Sequence, residues 1–203
     1  MEMRCNVELK DVVSMNAGLV LTRKRYQDKH AIKGYEKHTY PLLNLHSIDD
    51  YGNIIHEEMD VFESFEDLDS QYLTQEGMLL VRVNYPYTCT YISNEHKGYV
   101  IPSYFIVLDE VKDDYDPIFL SWYLNSNRVK HEFERMQSGT LVPSINQKIL
   151  SELKLPHYSK EKQKELNELY VLLMKERRLY QALVKEKETY YDAIEKIVFE
   201  EEK

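Results

Sequence analysis

The last part of the chain constrains its fold most, because residues 160–203 contain nothing that would interrupt a long helix. No proline follows Pro156 and no glycine follows Gly139, and the segment is rich in Leu, Glu, Lys, Arg and Tyr. At 1.5 Å per residue it predicts a helix of about 65 Å, with Ser159 as the N-cap residue. A helix this long that carries an apolar stripe needs a partner.

Ten positions of this helix recur in alternating steps of three and four, which is the spacing of a coiled-coil seam. Two of them, Glu176 and Lys187, are charged. Pairing two copies antiparallel places each Glu176 opposite a Lys187, whereas parallel pairing stacks like charges. The pattern favours an antiparallel homodimer; a partly exposed seam and a partner helix from another protein are the alternatives. The predicted dimerisation residues are Leu166, Leu169, Leu173, Glu176, Tyr180, Leu183, Lys187, Tyr190, Ile194 and Ile197.

The remaining residues, 1–158, are enough for one globular domain. Hydrophobic residues make up 43% of the chain and charged residues 30%, as in soluble folded proteins. No apolar run could span a bilayer, and residues 1–9 lack the apolar core of a signal peptide. Cys5 and Cys89 are far apart and fit no zinc spacing, which favours inert packing residues in a reducing cytoplasm.

The pattern of this first domain is mixed α and β, so the predicted fold class is α+β: a mixed α/β domain followed by the long helix. Short β-branched and aromatic runs between turn residues predict strands. Helical spacing predicts helices, one of them beginning at Pro117. The predicted strands are residues 40–48, 78–83, 88–92, 99–108 and 153–156, and the predicted helices are residues 62–73, 117–133 and 146–152.

Charge is distributed unevenly along this domain. The net charge of −9 argues against indiscriminate nucleic-acid binding. Residues 22–38, however, contain six Lys and Arg against two acids, whereas residues 49–69 contain nine acids and no Lys or Arg. A solvated surface and contact with a phosphate backbone are both consistent with the basic segment. Its candidate phosphate ligands are Arg23, Lys24, Arg25, Lys29 and Lys33.

No motif of a catalytic site is present. The seven histidines lack zinc-ligand spacing, and there is no P-loop, dinucleotide fingerprint or nucleophile elbow. Seventeen tyrosines suit a recognition surface instead. Arg82 and Asn84, with Tyr85 and Tyr87 beside them, are candidates for reading base edges, because Arg pairs with guanine and Asn with adenine. The alternative is a strand end with solvent-facing polar residues.

Several motifs in a particular order point to a family. They are residues 7–11 with Gly18, residues 42–45 with Ile48 and residues 52–54, Leu73 with Gly77 before the 78–83 run, residues 104–108, 117–126 and 138–140, and residues 144–156 followed by Gln163. This order resembles one target-recognition half of the specificity (S) subunit of type I restriction–modification systems. The resemblance covers nearly the whole chain and implies a DNA-binding domain at 1–158 and a coiled-coil spacer and dimerisation helix at 159–203.

In that family the S subunit has no catalytic activity of its own. Each recognition domain reads one half of a split DNA target, and the subunit docks methyltransferase and restriction subunits, which bind S-adenosylmethionine and ATP and form an adenine methyltransferase/endonuclease complex. The family order adds the loop with Ser138 and Thr140 to the predicted DNA contacts. No cofactor or metal is therefore expected on this chain, and its expected partners are double-stranded DNA, these subunits and a second copy.

Two features depart from the family pattern. Members often have Gly-Asp before the central strand, where this chain has Gly77-Met78. They also usually carry two recognition domains and two helices, so this chain resembles a half-length form. The alternative function, favoured by the acidic net charge, is a coiled-coil adaptor or assembly protein whose head binds another protein.

Overall fold

The computed structural model describes residues 7–136 and 144–200. It confirms the predicted fold class, a mixed α/β head followed by a long C-terminal helix. The strands are β1 (Val7–Glu8), β2 (Ser14–Ala17), β3 (His38–Leu42), β4 (Asp60–Ser64), β5 (Leu79–Arg82), β6 (Cys89–Tyr91), β7 (Phe105–Asp109) and β8 (Lys154–Leu155). The helices are α1 (Asp28–Ile32), α2 (Pro117–Leu124), α3 (Asn127–Met136), α4 (Gln147–Ser151) and α5 (Lys160–Glu200).

The head is built on an antiparallel four-stranded sheet in the order β2-β7-β5-β6. Strand β5 lies inside it, with Leu80 opposite Val107 of β7 and Thr90 of β6. Leu79, Leu80 and Val81 are fully buried in succession. Both faces of β5 are therefore covered, which explains why the run at 78–83 is continuously apolar.

One predicted element is wrong, and the strand predicted at 99–108 is shorter than predicted. Residues 62–73 do not form a helix: β4 pairs with β3 as a hairpin, and Ser70–Tyr72 form a single 3-10 turn. In β4 Phe62 is buried between exposed Val61 and Glu63, so the alternation of a half-buried strand prevailed over the helical spacing. Of the strand predicted at 99–108 only β7 is a strand: Pro102 forms an isolated bridge with Leu19, and a turn at residues 103–104 follows, in which the amide of Phe105 donates to the carbonyl of Pro102 at 3.0 Å.

The helix predicted from Pro117 is two helices. Asp116 caps α2 by accepting hydrogen bonds from the amides of Ile118 (2.8 Å) and Phe119 (3.2 Å). The chain turns at Asn125, whose side chain donates to the carbonyl of Cys89 at 2.7 Å and accepts from its amide at 2.9 Å. The side-chain amide thus pairs with the backbone of β6 as a neighbouring strand would. Helix α3 then starts in a new direction.

The two ends of the described head meet in a short ladder, in which β1 pairs with β8. The predicted helix at 146–152 and strand at 153–156 are confirmed as α4 and β8. The chain then enters α5, where Ser159 accepts from the amide of Lys162 at 3.3 Å, as an N-cap residue does.

Gln163 is the buried polar residue of the first turn of α5. Its side chain is 1% exposed, donates to the carbonyls of Asp114 (2.8 Å) and Tyr158 (3.0 Å), and accepts from the amide of Asp116 (2.8 Å). Three backbone groups are thereby satisfied by one amide side chain. By its contacts the chain divides into two compact units, residues 1–163 and 164–203. The boundary at 158/159 stays a prediction.

Candidate nucleic-acid interface

The basic segment, residues 22–38, is fixed along the outer edge of β4. The amide of Tyr26 donates to the carbonyl of Glu63 at 2.7 Å, and the amide of Phe65 donates to the carbonyl of Lys24 at 3.2 Å. Beyond this contact the chain forms α1 and returns as β3. The segment is therefore an ordered extension of the hairpin, and its side chains project from a defined backbone.

Part of the positive charge of this segment is already paired with the acidic run. Lys24 forms an ion pair with Glu66, and Lys37 Nζ lies 2.9 Å from Glu63 Oε1. In each pair the hydrogen bond to the carboxylate raises the pKa of the lysine. Two acids of the 49–69 run, Glu63 and Glu66, thus supply counter-charge to the basic segment.

The five predicted phosphate ligands consequently differ in their surroundings. Lys24 is paired, and the guanidinium carbon of Arg25 lies 5.7 Å from the ring centroid of Phe62, within cation–π range. Arg23, Lys29 and Lys33 are exposed and form no ion pair with another residue of the described chain. These three side chains are therefore available to an anionic ligand.

An aromatic cluster around His30 holds α1 in place. The His30 ring centroid lies 4.4 Å from that of Phe65 and 5.8 Å from those of Tyr26 and Tyr35. His30 Nδ1 also accepts from the amide of Gln27 at 2.9 Å. Burial, with Lys29 and Lys33 nearby, lowers the pKa of His30, so its ring is neutral at pH 7 and can accept this bond.

A second region of the interface is the loop that follows β5. The amide of Val83 donates to the carbonyl of Tyr104 (3.0 Å), and its carbonyl accepts from the amide of Ile145 (2.8 Å). Asn84 forms a bridge with Ser144, and its carbonyl accepts from the amide of Tyr87 at 2.9 Å. These bonds fix the loop between two distant parts of the sequence.

The two tyrosines of this loop have opposite environments. Tyr85 is 68% exposed, whereas Tyr87 is 1% exposed and packs edge-on against Phe133, with 5.8 Å between centroids. Tyr87, predicted beside Arg82 and Asn84 as a DNA contact, is not at the surface: its backbone has a φ of 55°, and its ring lies in the core. The ring of buried Tyr87 packs edge-on against that of exposed Tyr85, with 6.0 Å between their centroids.

Arg82 and Asn84 are both half-buried. Arg82 Nε is buried and has no hydrogen-bond partner within the described residues. Tyr104 lies close enough for the charge of Arg82 to act on its pKa, although burial prevails and raises that pKa to about 12.

The sheet topology brings the starting points of both regions to one edge. Strands β2 and β5 run in the same direction, since each is antiparallel to β7. The basic segment follows β2 after Gly18, and the second loop follows β5. Ser144, which pairs with Asn84, belongs to the same edge. The predicted DNA contacts Ser138 and Thr140 lie outside the described residues.

The structure also shows a cationic groove that sequence reasoning missed. It has a volume of about 480 Å³ and lies along α3 and the end of β8. Positions 128, 131/132 and 135 lie one helical turn apart, and this spacing is the sequence signal for the groove. Val129 and Phe133 form the opposite, buried face of the same helix. Its lining residues are Arg128, His131, Glu132, Arg135 and Lys154.

Two of the groove's basic side chains have acidic neighbours. His131 Nδ1 lies 3.1 Å from Glu134, and Lys154 pairs with Glu8, which also pairs with Lys10. The hydrogen bonds from these two lysines lower the pKa of Glu8 to about 2, so this carboxylate is ionised at neutral pH. The carboxylates of Glu8 and Glu134 therefore neutralise part of the positive charge of the groove.

The described cysteine and the possible metal ligands can be assessed from the structure. Cys89 is fully buried, and burial raises its pKa to about 12, which confirms it as a packing residue. Within residues 7–136 and 144–200 no cluster of three His, Cys, Asp or Glu side chains could hold a metal ion. No helix in the same ranges is long and apolar enough to cross a bilayer.

The seam of α5 is largely exposed. Of its eight apolar positions seven are exposed and Leu166 is half-buried, and Glu176 and Lys187 are exposed as well. Apolar side chains also flank the seam, which sequence analysis did not consider. Leu172 and Leu179 lie on one side and Val184, Tyr191 and Val198 on the other, all exposed. The helix thus carries an apolar face wider than one seam.

Comparisons with known proteins establish the fold. No protein-family model and no curated protein matches the sequence. Solved structures do match. One chain, from a structure on complex assembly and conformational transition of the type I restriction–modification system, has a TM-score of 0.66 at 13% identity over 96% of this chain. The HsdS subunit of Thermoanaerobacter tengcongensis has a TM-score of 0.62 at 16% identity over 94%.

A third solved structure matches over a similar share of this chain and at similarly low identity. The S subunit of the type I restriction–modification system of M. genitalium has a TM-score of 0.54 at 16% identity over 92% of this chain. The fold is that of a type I specificity subunit. The chain spans about half the length of the chains it matches, 43–48%.

Proposed function

We propose that this chain is the DNA-recognition subunit of a type I restriction–modification complex and that it reads one half of a split target. The observation that carries the proposal is the structural match, which extends over the head and the long helix together. At 13–16% identity this match concerns the fold, so the functional argument rests on the interface residues.

Two kinds of contact follow from the geometry. Arg23, Lys29 and Lys33 are exposed on an ordered frame and suit phosphate contacts, which give affinity without sequence preference. Arg82 and Asn84 lie at the sheet edge and suit base reading, which gives discrimination. The exposed ring of Tyr85 lies beside them. Ser138 and Thr140, which lie outside the described residues, remain candidate DNA contacts from the family order alone.

The chain itself is proposed to be non-catalytic. Methyl transfer and cleavage would belong to the methyltransferase and restriction subunits, which would bind S-adenosylmethionine and ATP. The apolar residues that flank the seam of α5 support docking, since a two-stranded coiled coil leaves flanking positions open to further helices. Leu172 and Leu179 are the residues of this flank that a methyltransferase helix would cover.

For the seam we propose an antiparallel homodimer. In this register Leu166 pairs with Ile197 and Leu173 with Tyr190 of the second copy, and Glu176 meets Lys187. A two-fold dimer would read an inverted repeat, because protein symmetry and site symmetry correspond.

DNA binding is tested by fluorescence anisotropy with labelled random-sequence duplex at stepped salt. The triple variant Arg23→Ala/Lys29→Ala/Lys33→Ala should bind all sequences more weakly, and the slope of log K against log salt should flatten by up to about 3. The matched control is Lys112→Ala/Lys148→Ala/Lys160→Ala, which removes the same charge from exposed positions elsewhere in residues 1–163. Equal losses in both variants would refute the assignment of this surface.

Catalytic dependence is tested with tritiated S-adenosylmethionine. DNA methylation should appear only when a methyltransferase subunit is added, and the purified chain alone should transfer no methyl group. Transfer by the chain alone would contradict the proposal, and loss of docking in Leu172→Glu/Leu179→Glu would locate the methyltransferase contact.

The dimer is tested by exchanging the seam charges. Glu176→Lys alone should raise the dissociation constant of the dimer in sedimentation equilibrium, and adding Lys187→Glu should restore it. Spin labels on Glu168→Cys, with Cys5→Ser, then decide the direction. The antiparallel register separates them by roughly 40 Å along the axis, whereas labels within about 15 Å would mean parallel helices.

A further inference from the structure

The basic segment carries an exposed apolar side chain at its tip to which the interface gives no role so far. Ile32, the last residue of α1, is 87% exposed, more than any other large apolar side chain in the described part of the chain. Isoleucine is among the residues most often buried in folded proteins. Single exposed apolar side chains are common on protein surfaces, so it is the neighbours of Ile32 that decide whether it marks a binding surface.

The neighbours of Ile32 indicate what kind of ligand this is. Lys29, one turn earlier on the same face, and Lys33, the next residue, are exposed and have no ion pair with another described residue. An apolar side chain between two free cations is complementary to a polyanion that also presents an apolar group.

The tip is held rigidly before any ligand binds. On the inner side of α1 the His30 ring contacts Tyr26, Tyr35 and Phe65, and the carbonyl of His30 accepts from the amide of Tyr35 at 3.1 Å. Ile32 is thus presented from a preformed support, which lowers the ordering cost of binding. This arrangement suits a recognition residue.

Two other exposed apolar side chains belong to the basic segment and to the strand that pairs with it. Tyr35 is exposed, and so is Val61, on the strand that pairs with the segment at Arg25. The basic segment and the strand beside it therefore expose both apolar and basic side chains. In duplex DNA the major groove presents one apolar group on its base edges, the C5-methyl of thymine, between two rows of phosphates.

We propose that Ile32 enters the major groove and contacts a thymine methyl group, while Lys29 and Lys33 contact the flanking phosphates. The inference rests on the proposed DNA-recognition function and adds to it a specificity-determining residue in the basic segment. The basic segment then discriminates between bases as well as supplying affinity.

The experiment begins by selecting a preferred site for the wild-type chain from a random-sequence duplex library. Each thymine of that site is then replaced in turn by deoxyuridine, which removes only the methyl group. At one position the wild-type chain should lose about three- to fourfold in affinity, the value of one buried methyl. Ile32→Ala should bind the unmodified site more weakly by at least that factor and show no response to deoxyuridine there.

The matched control is Lys29→Ala/Lys33→Ala, which should weaken binding to every duplex and keep the deoxyuridine response. The inference is overturned if Ile32→Ala retains the full response, or if the wild-type chain responds at no thymine. It is also overturned if Ile32→Ala leaves DNA binding intact and weakens association with the methyltransferase subunit. Failure of the wild-type chain to bind duplex DNA would refute the proposed function itself, so the two failures are distinguishable.

Discussion

Leucine side chains are buried in the head and exposed on the long helix. Leu79, Leu80 and Leu108 are fully buried within the head, whereas Leu172 and Leu179 of α5 are both 63% exposed. Burial of a leucine side chain stabilises a fold by roughly 1.5–3 kcal/mol. The head obtains this stabilisation from its own contacts, whereas these two leucines obtain little of it within the described chain.

The largest expected change in the free energy of unfolding tests this difference in burial directly. Leu80→Ala should lower the free energy of unfolding of the head by about 2–5 kcal/mol, because it leaves a cavity in the central strand. Leu172→Ala, the same change on the helix, should stay within about 0.5 kcal/mol in the isolated chain. Urea unfolding followed by the fluorescence of Trp122, the single tryptophan, measures both. Equal losses would contradict the contrast.

A backbone contact inside the head gives the next largest effect. Gly52 has a φ of 86°, and a Cβ there would lie 2.2 Å from the carbonyl oxygen of Cys89. Gly52→Ala should therefore cost about 2–4 kcal/mol through strain and overpacking. Gly77→Ala is the control, since its φ is 89° but its Cβ would meet nothing within 4 Å. Thermal unfolding should separate them; similar Tm values would refute the role of the contact.

A smaller effect should distinguish the first turn of α5 from the rest of that helix. Gln163→Ala should cost about 1–3 kcal/mol, because the carbonyls of Asp114 and Tyr158 and the amide of Asp116 lose their partner. Gln181→Ala, at an exposed position of the same helix, should change stability little. Hydrogen exchange at the Asp116 amide reports the loss locally, and unchanged protection there would contradict the assignment.

The sequence by itself determined the elements whose signals are local. The α5 helix follows from a long periodic segment without proline or glycine, and its start follows from Ser159. The continuous apolar run at 78–83 likewise predicted β5, and Pro117 predicted the start of α2. In each case neighbouring residues carry the information, because helix periodicity, capping and strand propensity are properties of short segments.

Tertiary structure decided whatever depends on residues far apart in the chain. Phe62 lies in a strand because β3 pairs with β4, and Tyr87 is buried because Phe133 packs against it. Lys24 is paired with Glu66, 42 residues later, while Lys29 is left free. Charge and polarity can be read from the residues themselves, but whether a cation or a ring is available to a ligand depends on contacts that only the folded chain makes.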